Sequence, residues 1–412
     1  MRISTMQQFN TGLRSILDNQ EGTLKTQQQI STGRRVLTPA DDPIASTRIL
    51  QLQQDLSLRN QYGENVTAAR NRLTLEESIL ASVDENIARI RELTVNAGNG
   101  SMTKEDRGYI AAEIDQRLSA LKDLMNTKDA SNTYIFSGFK GETQPFLERP
   151  GGGVIYQGDD GERSLEISNS TKVQTNDTGK KLFVDIQSAK STFYTRENER
   201  NNGNAFISNG FVTNQEEYDE FYPEDIVIRF NSDSFISPPG PNYSVLRKSD
   251  NRPIDGLTGQ GYTTGTEIIV NGVNFKIAGE PEPGDSFFII SSERQSLTDT
   301  VSGLVEGLRS LGDNPEQSAT LDELIETTLL NMDFAQSSVS EVRSEIGGRI
   351  NTIDNIENLH EDVELVSQEI LSGLQDVDFA EAVSKLSLQS FLLEAAQQSF
   401  TQINRLSLFN SL

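Results

Sequence analysis

The 412-residue chain has no cysteine and no tryptophan, and a single histidine, His360. Without cysteine there is no disulfide, thiolate metal site or cysteine nucleophile. A Ser-His-Asp triad or a histidine-rich metal centre would have to be built around His360 alone. No stretch of 18 apolar residues occurs, so no membrane helix is expected. Positive charge is also scarce: 36 Lys and Arg stand against 61 Asp and Glu, for a net charge of −25. A phosphate backbone needs a basic footprint, and no dense Lys/Arg run supplies one, so nucleic acid is excluded as a partner. The opening MRISTMQQFNTG shows neither the apolar core nor the cleavage site of a signal peptide.

What is present is polar and periodic. Only 35% of residues are hydrophobic, and the mean hydropathy is −0.47, values of an extended helical protein rather than a compact enzyme. The acidity is confined to the middle. Residues 1–30 carry a net +1 and residues 379–412 a net of zero, both rich in Gln, Ser and Asn. An acidic, solvated body with nearly uncharged ends points to ends made for contact.

The ends carry narrow apolar stripes. Ile3, Met6, Leu13, Ile16, Leu17 and Leu24 fall near a seven-residue repeat, as do Phe379, Leu386, Leu393 and Phe400 with Ile403 beside them. Leu406, Leu408, Phe409 and Leu412 close the chain. Leu393, Phe400 and Ile403 are expected to face the N-terminal helix and the last four neighbouring subunits, though spacing alone does not decide which of those four points inward. Such a stripe on a Gln/Ser/Asn helix cannot offset its own ordering entropy, so the ends are expected to be disordered in the free chain and to fold on assembly.

Between them run two longer heptad series. Leu52, Val66, Leu73, Leu80 and Ile87 form one, on a helix capped by Asp42 with Pro43 at its first position and ending near NAGNGS. Ile325, Met332, Val339, Ile346 and Ile353 form the other, ending at Ser372-Gly373. Thr103 with Asp106, and Thr320 with Glu323, read as capping boxes; Asp378 caps the tail helix. From about 140 to 290 the pattern turns to short alternating runs among Gly, Pro and Asn. VIYQ (154–157) and RSLEIS (163–168) flank GDDGE as a hairpin, and EIIV-Asn271-Gly272-VNFKI is the strongest hairpin signal of the chain.

The fold class is therefore α+β: an elongated antiparallel helical rod built from both chain ends, with an inserted β-rich domain. The expected division is 1–42 with 376–412 as the assembly domain, 43–194 with 291–375 as the rod with a small hairpin near 150–170, and 195–290 as a β-rich outer domain.

Nothing in this pattern calls for catalysis, a metal or a cofactor. Asp41-Asp42 reads as a turn and a cap, Asp159-Asp160-Gly161-Glu162 as a hairpin turn without EF-hand spacing, and Glu282–Asp285 as an acidic loop. His360 falls on the heptad seam as a packed or half-buried helix histidine. GGG (151–153) lacks the lysine and helix of a phosphate loop. Gly347-Gly348 implies a close helix crossing or local flexibility.

Three stretches resemble the flagellin family. QQQISTGRRVLTPADDPIASTRI (27–49), with Ser31, Gly33, Asp41, Asp42 and Pro43, is similar to its N-terminal signature. EDRGYIAAEIDQRL (105–118) is similar to its third helical segment, and DVDFAEAVSKLSLQSFLLEAAQQSFTQINRLSLF (376–409) to its terminal helix. DDP where filament proteins more usually have Asp-Asp-Ala-Ala, TYIFSG (133–138), GEPEPGDSFFII (279–290) and the LSLF ending look like members of the hook–filament junction. The resemblance covers about 140 residues at the start and 110 at the end, and is weak from 175 to 265.

It implies a structural, non-enzymatic protein of the bacterial flagellum, extracellular and exported through the flagellar type III apparatus without a cleaved signal peptide. It implies partners too: copies of itself in a ring, the first hook-associated protein, flagellin, and an export chaperone on the C-terminal segment. The rivals are a filament flagellin and, from another class, a coiled-coil stalk adhesin with a β binding domain.

Overall fold

A computed structural model describes residues 5–409 of the chain. Two compact units are present: the chain ends up to Asn65 and from Asn355, and the body Val66–Asp354. This division falls inside the two long helices, at 65/66 and 354/355.

Seven α-helices and thirteen strands follow in the order α1 (Thr5–Thr32), α2 (Pro43–Ala97), α3 (Lys104–Met125), β1 (Phe146–Glu148), β2 (Val154–Tyr156), β3 (Ser164–Glu166), β4 (Lys172–Gln174), β5 (Ile186–Glu197), β6 (Phe206–Ile207), β7 (Phe211–Val212), α4 (Gln215–Phe221), β8 (Ile226–Phe230), β9 (Asn242–Arg247), β10 (Gln260–Gly261), β11 (Glu267–Val270), β12 (Val273–Ala278), β13 (Ser286–Gln295), α5 (Leu297–Ser310), α6 (Pro315–Gln375) and α7 (Phe379–Phe409). In chain order, helices thus come before and after a β-rich middle.

In the body the heptad seams are core. Val66, Leu73, Leu80 and Ile87 of α2 are buried, as are Ile325, Met332, Val339, Ile346 and Ile353 of α6. Ion pairs along the seam fix the direction. Arg70 meets Asp354 at 2.7 Å, Arg343 meets Glu77 at 2.8 Å, and Arg91 meets Asp333 at 2.9 Å. Rising numbers on one helix against falling numbers on the other mean antiparallel pairing. Both Gly347 and Gly348 have open space where a side chain would stand, so no close helix crossing explains them.

Most helix starts are where the capping residues put them. Thr103 and Asp106 form a capping box on α3, and the Ser296 hydroxyl accepts from the Asp299 N–H at the start of α5. The expected cap at Thr320 is corrected. Helix α6 already starts at Pro315, with the Asn314 side chain accepting from Gln317 N–H, because Asn-Pro is a stronger start signal than a threonine six residues on. Thr320 lies inside the helix and donates to the Glu316 carbonyl.

The β-rich region starts earlier and ends later than expected, because β5 and β13 pair over almost their whole length, from Phe287↔Glu197 to Gln295↔Ile186. They belong to a five-stranded antiparallel sheet of order β10-β9-β8-β13-β5. A second sheet has β11-β12-β6, with β7 also on β12. Ile228, Phe230, Val245, Phe275, Ile277, Phe287 and Ile289 fill the space between. The β11–β12 hairpin turns on Asn271 and Gly272, both at positive φ, as a two-residue type I′ turn demands.

The expected hairpin across GDDGE is not formed. β2 pairs back with β1, and β3 pairs forward with β4. Each strand finds its nearer neighbour, the first pair closing over Gly152 and Gly153 at positive φ. The Asp159 carboxylate instead accepts from the N–H groups of Phe139 and Gly161. Phe146 and Tyr156 of the β1–β2 hairpin form an aromatic core with Phe136 and Phe183, the last two edge to face at 5.3 Å.

Candidate functional site

The sequence places contact at the chain ends, and there α1 and α7 lie antiparallel. Phe9 meets Phe400 with ring centroids 5.1 Å apart. The ring of Phe400 also lies against Gly12, so closely that a Cβ there would come within 2.9 Å of it. About three turns further along, Gln389 packs on Gly22 and accepts from the buried Thr26 hydroxyl at 2.7 Å. Small residues on α1 thus admit the larger side chains of α7.

The family-motif residues build the turn between α1 and α2. Gly33, at φ +70°, ends α1. Its carbonyl accepts from Val377 N–H, and Arg35 N–H donates to the Gln375 carbonyl, so the two connectors pair like a short ribbon. The Ser31 hydroxyl donates to the Gln28 carbonyl. Asp41 accepts from the N–H groups of Leu37 and Thr38 and pairs with Lys25 at 2.6 Å. The Lys25 hydrogen bond, with the Thr38 N–H next, lowers its pKa to about 2. Asp42 accepts from Ala45 N–H as the cap of α2, and Pro43 takes the first helical position. Asp378 does the same for α7, accepting from Ala380 and Glu381 N–H. Both carboxylates of the Asp-Asp pair are therefore spent on backbone, which is structural work.

Of the predicted contact residues, Leu386, Leu393 and Phe400 are half-buried, and Phe400 is the one seated on α1. Leu13, Leu17, Leu24 and Phe379 stay open to solvent, Leu17 and Leu24 at 53% each. Ile3 and Leu412 lie outside the described residues. So do the side chains of Met6, Ile403, Leu406, Leu408 and Phe409, although their backbone is helical. The heptad reading missed a second open row on α7, namely Val383, Leu388, Phe391 and Leu392, with Phe391 at 67%. It also missed Ile44 and Leu50 on α2 and Leu365 and Val366 on α6, which are exposed as well, as is Ile370, which that reading places on the second heptad row of α6. His360 is half-buried, its ring edge-on to Tyr62 at 5.8 Å. Among the described residues, Ala45 and Ala382 are the only hydrophobic side chains of the end unit that are buried.

Burying a leucine side chain contributes roughly 1.5–3 kcal/mol. A unit that fully buries almost none of its apolar side chains has its stabilising partner elsewhere. Helical ends of this kind around a β-rich middle define a structural subunit of the flagellin type.

The comparisons agree. A model of the bacterial flagellin N-terminal helical region matches residues 3–140, and one of the C-terminal helical region matches residues 329–412. Flagellar hook-associated protein 3 of Escherichia coli is 26% identical, over 99% of each chain. That of Salmonella typhimurium is 34% identical over 46% of this chain and 58% of its own. The crystal structure of flagellar hook-associated protein 3 from Legionella pneumophila is 31% identical, covers 79% of this chain and 98% of its own, and superposes with a TM-score of 0.53. By contrast, the flagellin of Listeria monocytogenes matches only 28% of this chain. The chain belongs to the flagellin family, in its hook-associated protein 3 branch, whose members are structural proteins of the flagellum at the junction of hook and filament.

Proposed function

We propose that the open apolar rows of α1 and α7 are the assembly surface by which copies of this chain close into a ring at the hook–filament junction. The observation behind this is the near absence of buried hydrophobic side chains in the end unit, beside a fully packed body. Leu13, Leu17 and Leu24 on α1, and Leu386, Leu393 and the Phe391 row on α7, become core when neighbouring copies supply the missing faces. In the free subunit the two helices pair with each other without closing a core, and the ends order fully on assembly. The body carries the outer contacts, and the β-rich region projects from it.

The ring is expected to receive the first hook-associated protein on one side and flagellin on the other. Before assembly the same tail would aggregate in the cytoplasm, so an export chaperone covers the C-terminal segment. Export through the flagellar type III apparatus, in an unfolded state and without a cleaved leader, suits a chain without disulfides to break. No catalytic role is proposed.

Deletion of the gene tests the assignment. Cells that keep their hooks and shed unpolymerised flagellin support a junction role, and cells that grow normal filaments refute it. Complementation with Leu17→Glu/Leu24→Glu tests the surface: restored filaments would show that these rows are not the contact.

A further inference from the structure

One buried carboxyl in the body has no use in assembly. Glu76 lies on α2, with no exposed surface at all. One of its oxygens, Oε1, accepts from the backbone N–H of Asp177 at 3.0 Å. The other, Oε2, is buried and meets no hydrogen-bond partner. Asp177 belongs to the segment that follows β4 and closes the two-hairpin module. Its carboxylate is 2% exposed and is gripped by Arg349 of α6, at 2.6 Å and 3.1 Å.

Two cations act on Glu76, Arg349 and Arg72, but each is shared with other carboxylates and neither hydrogen-bonds to its free oxygen. Arg349 is committed to Asp177 and to Glu345, 3.0 Å away, and Glu345 also faces Lys181. On Glu76's own helix, Arg72 reaches towards Asp129, 3.7 Å away in the loop after α3, and Arg163 adds a positive charge near Arg72. The nearest anion to Glu76 is Asp177 itself. An ionised Glu76 would therefore sit buried beside a second carboxylate, with one oxygen unsolvated and unpaired, a costly arrangement. The protonated acid keeps the hydrogen bond from Asp177 N–H and removes the charge.

We propose that Glu76 is a proton-operated latch, which in its neutral form fastens the two-hairpin module, through the Asp177 backbone, to the α2–α6 helix pair. Burial first, and the Asp177 charge second, push the Glu76 carboxyl up to about 8. A group raised in the folded state above its ordinary 4.5 holds a proton that the opened chain releases. The latch is therefore tightest at low pH. It loosens as pH rises from about 4.5, by about tenfold per pH unit for one proton, and levels off above about 8. His360, the single imidazole of the chain, belongs to the end unit.

Hydrogen exchange on the whole protein, corrected for intrinsic rates, tests the latch between pH 5.5 and 7.5. Wild-type amides at 173–179 are expected to lose protection by about tenfold per pH unit, and the Glu76→Gln protein, which mimics the neutral acid, is expected to hold a flat profile. A flat wild-type profile, or the same slope in Glu76→Gln, overturns the proposal. Should Glu76→Gln fail to fold, carbon-13 NMR of the wild-type glutamate carboxyls decides instead. A buried glutamate titrating between 7 and 9 supports the latch, and its ionisation below pH 6 overturns it.

Discussion

The body and the chain ends use one sequence grammar for two purposes. In both, leucine, isoleucine and valine recur every seven residues on long helices. In the body, from Val66 to Ile90 and from Ile325 to Ile353, those positions are buried. At the ends the same spacing leaves Leu13, Leu17 and Leu24 exposed. The difference lies in what else each region owns. The body's α2 and α6 are joined by α3, α5 and two sheets, which close the seam from several sides. The ends own α1, α7 and the outer turns of α2 and α6, and these do not enclose a core. Heptad periodicity thus specifies a face to be covered, and the number of local partners decides whether the chain covers it alone.

The comparison breaks most visibly under truncation. Removing residues 379–412 takes away α7 and should abolish assembly into the flagellum. The body should keep its cooperative thermal transition, because no buried hydrophobic side chain of Val66–Asp354 is lost. Collapse of the body's transition on truncation would show that the two regions share a core after all. A step down in size, single substitutions should separate them. Leu80→Ala, in the body's seam, is expected to cost about 2–5 kcal/mol in denaturant unfolding. Leu17→Ala, at the same kind of position in the ends, should stay within about 0.5 kcal/mol for the free subunit while impairing ring formation. Equal stability losses at the two sites would contradict the distinction. Charge sharpens it further. Arg349→Ala strands the buried Asp177 carboxylate and should cost about 3 kcal/mol. Lys25→Ala, which opens a pair half in solvent, should cost less than about 1 kcal/mol.

Local chemistry was readable from the sequence wherever one or two residues decide. Asp42-Pro43, Thr103 with Asp106, Asp378 and Asn271-Gly272 each carry their own stereochemical instruction, and each stands where that instruction puts it. The Thr320 cap failed because Asn314-Pro315 carries the same instruction earlier. Pairings across long loops were not legible. Strands β5 and β13 are separated by some ninety residues, and nothing local says that Phe287 stands opposite Glu197. The choice of β1 for β2 goes with the aromatic core that Phe146 and Tyr156 join rather than with GDDGE. At the contact surface, the heptad row from Phe379 to Phe400 was found. The row through Leu388 and Phe391 was not, since a helix with apolar residues on more than one face does not reveal by spacing which face is folded inward. Glu76 had no signal at all, being one glutamate on a long helix until Asp177 is brought to it.

The smallest predicted effect concerns the turn that joins α1 to α2, where the ends have their best-formed polar contact. Asp41 has its carboxyl held at about 2, below its ordinary 3.8, by Lys25 and by the Thr38 N–H. A depressed carboxyl contributes stability that is present in full above 3.8 and is lost as pH falls through 2. The α1–α2 turn should therefore loosen only between those values. Lys25→Met removes the first of the two causes and leaves the second, so the Asp41 titration should move part of the way back towards 3.8 when followed by carbon-13 NMR. Because Lys25 is half in solvent, added salt should shrink the difference between wild type and variant. The Arg349–Asp177 pair in the body, being nearly dry, should be almost indifferent to the same salt. A strong salt dependence at both pairs, or at neither, would remove the electrostatic half of the contrast between a region finished within its own chain and one finished by its neighbours.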